Sequence, residues 1–310
     1  MPGARRGTIG VPRHLLHSMA SLRLTLVFLL ILASTLLHVG PLLLVSLLKA
    51  VVPSRRWRRA ADPMLMGMAE SWIGVNSWAV ERFTPTRISV QMDADLKTDG
   101  HYLMLANHQS WVDIVALQKV FNRRIPFMRF FLKQQLIWVP LLGVAWWALD
   151  FPFMGRHTPK QIARRPELAG RDIAATRRAC EKFREIPVTI VNFVEGTRFT
   201  PAKHARQEPA YRHLLKPKSG GVAFVLDAMG QGLHAILDVT IAYPGGRPTL
   251  ADLLAGRVPE VRMHVRQRAI PAELLGGDYQ NDRAFRVRFQ QWMNGLWQEK
   301  DAELERLLSR

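Results

Sequence analysis

The chain has 310 residues, 48% of them hydrophobic, with nine Trp and 14 Phe; this is ample material for a core and excludes wholesale disorder. Its 43 Lys and Arg against 25 Asp and Glu give a formal net charge of +18, which points to a polyanionic partner: nucleic acid, an anionic membrane surface or a phosphorylated substrate. A lone cysteine, Cys180, excludes an intramolecular disulfide and a multi-cysteine zinc site, and its helical setting reads as structural.

Residues 1–20 are basic and unpatterned, a flexible arm. Residues 24–48 then contain no Asp, Glu, Lys or Arg. A bilayer core needs about 20 mainly apolar helical residues, so this stretch is long enough to cross one. Signal peptides have apolar cores of about 7–15 residues and a small-residue cleavage site, and none precedes Lys49, so the segment reads as a retained anchor. His38, Gly40 and Pro41 interrupt it, predicting either a kinked span or two short helices dipping into one leaflet. Arg5, Arg6, Arg13 and Arg23 before it nearly balance Lys49, Arg55, Arg56, Arg58 and Arg59 after it, so the positive-inside rule gives no orientation. The basic run around Trp57 fits either an interfacial patch for anionic headgroups or a solvated loop.

Between Pro63 and Phe83, Met64, Met68, Trp72, Val75 and Trp78 are spaced as an amphipathic helix that Pro85 ends, so residues 21–84 form an anchor with its amphipathic helix. A domain over residues 85–310 follows. Strands are predicted over residues 88–92 and 102–106, and a helix over 113–121. Residues 136–149 read as a core helix or as a Trp-rich wall in contact with membrane. A strand over 149–154 leads to Arg156, a helix covers 172–184, and strands follow at 188–193, 237–243 and 261–265. Phe285, Phe289, Trp292, Met293, Leu296 and Trp297 recur on one face of a C-terminal helix. Strands alternating with helices predict an α/β fold.

Two polar clusters follow apolar strands, where α/β sheets commonly place their chemistry. In the first, Asn107 to Asp113, His108 is suited to take a proton near neutral pH, and Asp113 can fix its tautomer. The same residues also fit a capping box in which Ser110 caps a helix and Asp113 returns the bond. A metal site lacks a third ligand at a suggestive spacing. In the second cluster, Gly196 lets backbone approach a ligand, Thr197 can donate or accept, and Arg198 can hold a phosphate with two hydrogen bonds. An ordinary strand-end turn fits there too. No G-x-S-x-G elbow, P-loop or G-x-G-x-x-G is found.

Asn107-His108 with Asp113 resembles the N-H-x4-D signature of the glycerolipid acyltransferase superfamily, the lysophosphatidic acid acyltransferases and their relatives. Residues 193–198 resemble that family's F-P-E-G-T-R block, with Val194 where proline is commonest. Residues 149–156 resemble the intermediate block ending in arginine, and residues 214–221 the later basic segment. The resemblance covers about residues 85–245, and the wording around both motifs is nearest the bacterial inner-membrane branch labelled YihG, near the lysocardiolipin acyltransferase type. It implies a mixed sheet flanked by helices and transfer of an acyl chain from acyl-CoA or acyl-carrier protein to the free hydroxyl of lysophosphatidic acid or a related lysophospholipid. His108 would be the general base and Asp113 its orienting group. Glu195, Gly196, Thr197 and Arg198 would bind the glycerophosphate, with Arg156 and Lys218 as further phosphate contacts. The resemblance implies no metal and no cofactor beyond the acyl donor, and no nucleic-acid partner. It puts the enzyme in the bacterial inner membrane with its catalytic domain toward the cytoplasm, and makes residues 136–149 a candidate acyl-chain lining. The rival expectation is a non-catalytic membrane-associated protein that binds anionic lipid or nucleic acid, suggested by Arg286, Arg288, Phe289 and Trp292.

Overall fold

Polar side chains inside an apolar helix need partners, and here a second helix supplies them. The computed structural model describes residues 13–155, 164–165, 170–183, 186–207 and 210–309. Helix α1 (Arg13–Val51) and helix α2 (Arg55–Phe83) form an antiparallel hairpin. His38 of α1 bonds Ser71 of α2 at 3.1 Å, Trp72 donates to Thr35 at 3.0 Å, and Lys49 pairs with Asp62. Two polar residues of the apolar segment, Thr35 and His38, therefore fasten α1 to α2. They do not divide α1, which stays helical through Gly40 and Pro41. The hairpin lies between α1 and α2, not within residues 24–48 as one sequence expectation had it. The helix also starts at Arg13, inside the expected loose arm; residues 1–12 lie outside the described ones.

Residues 18–51 are long and apolar enough to cross a membrane, and only 28% of their most apolar stretch is buried. A soluble core helix would be mostly covered. Leu22 and Leu37 are instead each 72% exposed, as suits membrane association.

The sheet has six strands in the order β1-β8-β7-β2-β6-β3. These are β1 (Arg87–Asp93), β2 (His101–Ala106), β3 (Met128–Phe130), β6 (Val188–Phe193), β7 (Ala235–Ala242) and β8 (Glu260–Arg268). All neighbours are parallel except β7 and β8, so the sheet is mixed. Central β2 is covered on both faces, which is why it is almost wholly apolar. Tyr102 and Met104 face the layer of α1, α2 and α3 (Val112–Phe121). Leu103 and Leu105 face the layer of α5 (Arg171–Phe183), α7 (Ser219–Met229) and α9 (Arg283–Ser309). Cys180 is buried in that second layer.

Residues 136–149 do not form one core helix. They divide into a 3₁₀ turn (Gln134–Trp138) and α4 (Leu142–Ala148). The two pack so closely that a Cβ on Gly143 would lie 2.0 Å from the Ile137 carbonyl oxygen. Trp138 and Trp147 are 85% and 60% exposed, which suits the membrane-contacting reading over the core one. The strand expected over 149–154 shrinks to β5 (Phe153–Met154), which pairs with β4 (Leu132–Lys133), because Asp150 takes a positive φ of 58°.

Helix α9 is fixed by a buried ion network. Lys300, fully buried, reaches Asp238 of β7 and donates to the Val239 carbonyl at 2.7 Å. Asp238 also accepts from Arg266 and Arg268, each at 2.9 Å. Burial pushes the Asp238 carboxyl up, but these three cations outweigh it and hold it below its ordinary value. Removing the anion strands a buried cation, which costs about 3–5 kcal/mol. Asp238→Asn should thus destabilise the fold more than Lys300→Met, after which two arginines still neutralise Asp238. Denaturant unfolding of the detergent-solubilised protein tests the ranking, and a reversed order would refute this account.

Candidate active site

Parallel pairing brings the two sequence clusters together. In register, Ala106 at the end of β2 faces Phe193 at the end of β6 and Val239 of β7. Residues 107–108 and 194–195 thus leave adjacent strands at the same edge of the sheet. The Val194 amide donates to the Ala106 carbonyl at 3.3 Å, continuing the ladder by a bond that proline at this position could not make. Asn107 bonds the Ile241 amide and carbonyl at 2.8 and 2.9 Å, fixing the start of the first cluster to β7.

His108 Nδ1 lies 2.8 Å from Asp113 Oδ2. The same oxygen accepts from the amides of Gln109 (2.7 Å) and Ser110 (2.9 Å), and Oδ1 accepts from the Tyr243 hydroxyl at 2.5 Å. Since Asp113 is the acceptor in all four, Nδ1 is the protonated ring nitrogen. Nε2 then carries the lone pair, with no partner among the described residues. Burial, followed by the Asp113 charge, pushes the Tyr243 phenol well above its ordinary pKa, so it stays a donor. The ring of His108 stacks on Phe193, with centroids 4.0 Å apart. The capping box expected here forms only in part: Asp113 accepts from the Ser110 amide, but Ser110 Oγ accepts from the Val112 amide at 3.0 Å, and Trp111 stands at the cap position without a side-chain cap bond. Starting the helix is what turns Asp113 toward His108.

Glu195 is placed differently from the ligand contact expected of it. It is buried, and its two oxygens accept from the amides of His108 (2.9 Å) and Leu215 (3.1 Å). It braces the loop that carries His108. Burial pushes its pKa up to about 8, over the opposing effect of the two amides. Gly196 has a φ of +68°, and a Cβ there would lie 3.1 Å from Cδ of Lys218, so glycine suits both the turn and the lysine lying across it.

Thr197 Oγ1 accepts from Lys203 Nζ at 2.7 Å, and Lys203 also donates to the Arg198 carbonyl at 3.0 Å. Arg198 is exposed, with its guanidinium 5.1 Å from the centroid of the Trp111 ring. Burial lowers the pKa of Lys203, and the charges of Arg198, Lys133 and Lys218 lower it further. These four cations crowd one place and suit an anion. Arg156 lies outside the described residues. Sequence reasoning missed Tyr243, Lys203 and Lys133. Tyr243 lies 130 residues from Asp113, and the lysines look like surface charges until the fold gathers them.

The acyltransferase family profile matches residues 87–244, half of the chain, and spans both clusters. The chain belongs to the acyltransferase family. It is 26% identical over 251 residues to 1-acyl-sn-glycerol-3-phosphate acyltransferase 3 of Arabidopsis thaliana, covering 75% of this chain and 61% of that relative. It is 24% identical over 239 residues to 1-acyl-sn-glycerol-3-phosphate acyltransferase epsilon of Mus musculus, covering 70% of this chain and 62% of that relative. Lysocardiolipin acyltransferase 1 of Danio rerio is 32% identical over 135 residues, 39% of this chain and 32% of that one. The chain thus spans about three-fifths of the length of the first two relatives. The crystal structure of the 1-acyl-sn-glycerophosphate (LPA) acyltransferase PlsC from Thermotoga maritima matches with a TM-score of 0.51 at 16% identity, covering 89% of this chain and 97% of that one, a likeness of fold. In this acyltransferase the mixed sheet sets the two clusters side by side, as described above.

The raised pKa of Glu195 links stability to pH. Its folded value of about 8 exceeds an ordinary 4.5, so the folded state holds an extra proton between these values. That stability is complete at the acid end and is lost as pH rises toward 8. Glu195→Gln should flatten this decline, even though its amide nitrogen cannot accept the second backbone N–H and the fold is weaker throughout. Unfolding of both proteins between pH 5 and about 8 tests it; an unchanged slope in the variant would assign the decline to another group.

Proposed function

We propose that the protein transfers a fatty acyl chain from a thioester, acyl-CoA or acyl-carrier protein, to the free hydroxyl of lysophosphatidic acid or a related lysophospholipid. One observation carries this reading: the His108–Asp113 pair, with Nε2 left available, shares a sheet edge with the cation cluster of Arg198, Lys203, Lys133 and Lys218. A base beside an anion site fits an acceptor with both a hydroxyl and a phosphate. The Arabidopsis and mouse relatives, both 1-acyl-sn-glycerol-3-phosphate acyltransferases by name, support that acceptor class.

In this reading Nε2 of His108 removes the acceptor hydroxyl proton as the oxygen attacks the thioester carbonyl. Asp113, held by two amides and Tyr243, stabilises the imidazolium that forms. Collapse of the tetrahedral intermediate breaks the C–S bond, and the thiolate leaves and recovers the proton from His108. Arg198 holds the acceptor phosphate, Thr197 and Gly196 shape the loop beneath it, and Lys218 lies alongside. Lys203 positions the loop through Thr197 Oγ1 and the Arg198 carbonyl. Asp113 and Glu195 act through their hydrogen bonds to His108.

The apolar hairpin supports a division into a membrane anchor over residues 21–84 and a transferase domain over 85–310, so enzyme and lipid acceptor meet in two dimensions. Placement in a bacterial inner membrane with the domain toward the cytoplasm, and in the YihG branch, rests on the motif wording alone.

Purified full-length protein with labelled acyl-CoA and lysophosphatidic acid tests the reading. His108→Ala should lower the rate by about 10²–10⁴-fold, the scale of a lost general base. Product formation that survives the substitution would remove His108 from the chemistry. Arg198→Ala should raise the acceptor KM by about tenfold or more, the scale of a charge-assisted hydrogen bond, and change kcat less. An unchanged KM would move the phosphate elsewhere.

A further inference from the structure

A cleft of about 520 Å³, whose lining does not include His108, lies where the last turns of α1 meet α2, α4 and α5. Four cations line it: Lys49, Arg58, Arg178 and Lys182. Lys49 is neutralised by Asp62 and Lys182 by Asp150, at 2.9 Å in the second case. Arg58 and Arg178 have no acidic partner among the described residues. Behind the wall lies Arg129, almost fully buried, whose Nε donates to the Leu149 carbonyl while Nη1 has no partner among the described residues. The cleft is therefore strongly electropositive, and its two guanidinium groups can each offer a pair of hydrogen bonds to a phosphate.

Trp147 and Phe151 give the lining its large apolar part, while Ser46 and Asp150, the latter paired with Lys182, are its other polar members. Lys49 belongs to the last turn of α1, where an apolar helix ends and the headgroup layer of a bilayer would begin. Trp147 is largely exposed at the rim, as interfacial tryptophans are. A ligand with a phosphate and an adjoining apolar part fits both halves of this lining. The cleft is separate from the acceptor site: the stacked rings of Phe193, Phe130 and Phe151 lie in a row between His108 and its wall.

We infer that this cleft binds the phosphate headgroup of an anionic membrane phospholipid, at a site distinct from the one that holds the acyl acceptor. It would tie the transferase domain to anionic membrane through α5 as well as through the hairpin.

Coenzyme A also carries phosphates, so the test separates the two sources. Full-length protein in neutral detergent is titrated with dihexanoyl phosphatidylglycerol, dihexanoyl phosphatidylcholine and unacylated CoA. Phosphatidylglycerol should bind at least about tenfold more tightly than phosphatidylcholine, and the Arg58→Gln/Arg178→Gln double variant should lose about tenfold or more of that affinity. Both arginines are exposed and have no acidic partner among the described residues, so the variant should fold, which circular dichroism verifies. Arg55→Gln/Arg56→Gln removes the same charge outside the lining and should keep the affinity. Equal losses in the two double variants would reduce the effect to net charge and overturn the site. CoA that displaces phosphatidylglycerol and fails in the same variant would overturn the lipid assignment. His108→Ala should bind phosphatidylglycerol normally, so failure of the acyl-transfer reading leaves this result standing.

Discussion

A carboxylate without access to water must obtain its hydrogen bonds from the protein, and Asp113 obtains four. Two come from the amides of the loop it closes, one from His108 and one from Tyr243 at the end of β7. Leaving such a group partly satisfied costs heavily, so all four donors are held in place together. The helix start, the tautomer of His108 and the attachment of this loop to β7 are consequences of the same requirement. Bracing the helix start and orienting His108, which compete when the sequence is read alone, are two effects of one side chain.

A second buried acid, Glu195, stands on the neighbouring strand end with fewer donors. It has two amide donors where Asp113 has four donors in all, and the nearby Asp113 charge adds to the burial that raises its pKa. Here the pair splits its labour: Asp113 orients the imidazole, and Glu195 holds the backbone from which the imidazole projects.

The membrane-facing part obeys the same rule. Thr35 and His38 would each be expensive in lipid, and they bond Trp72 and Ser71 of α2. The leucines on the other face of α1 stay uncovered. One helix thus offers a polar seam to protein and an apolar surface suited to lipid.

Much of this was legible from the chain itself. The apolar runs of β2 and β6, the anchor, the amphipathic C-terminal helix and the two polar clusters are local patterns, and local patterns follow from short-range periodicity. Residues 136–149 resisted because a close contact at Gly143 and the positive φ values of Leu141 and Asp150 break the periodicity. What the sequence by itself determined is the kind of chemistry available: an imidazole with a carboxylate five positions on, an arginine after a glycine turn, and a helix suited to lipid. The tertiary structure alone decided which of these groups meet. The register that sets Ala106 beside Phe193, the arrival of Tyr243 at Asp113 and the gathering of Lys133 and Lys203 around Arg198 depend on helices packed over both faces of the sheet. Such long-range packing is cooperative, and no short stretch of sequence carries it.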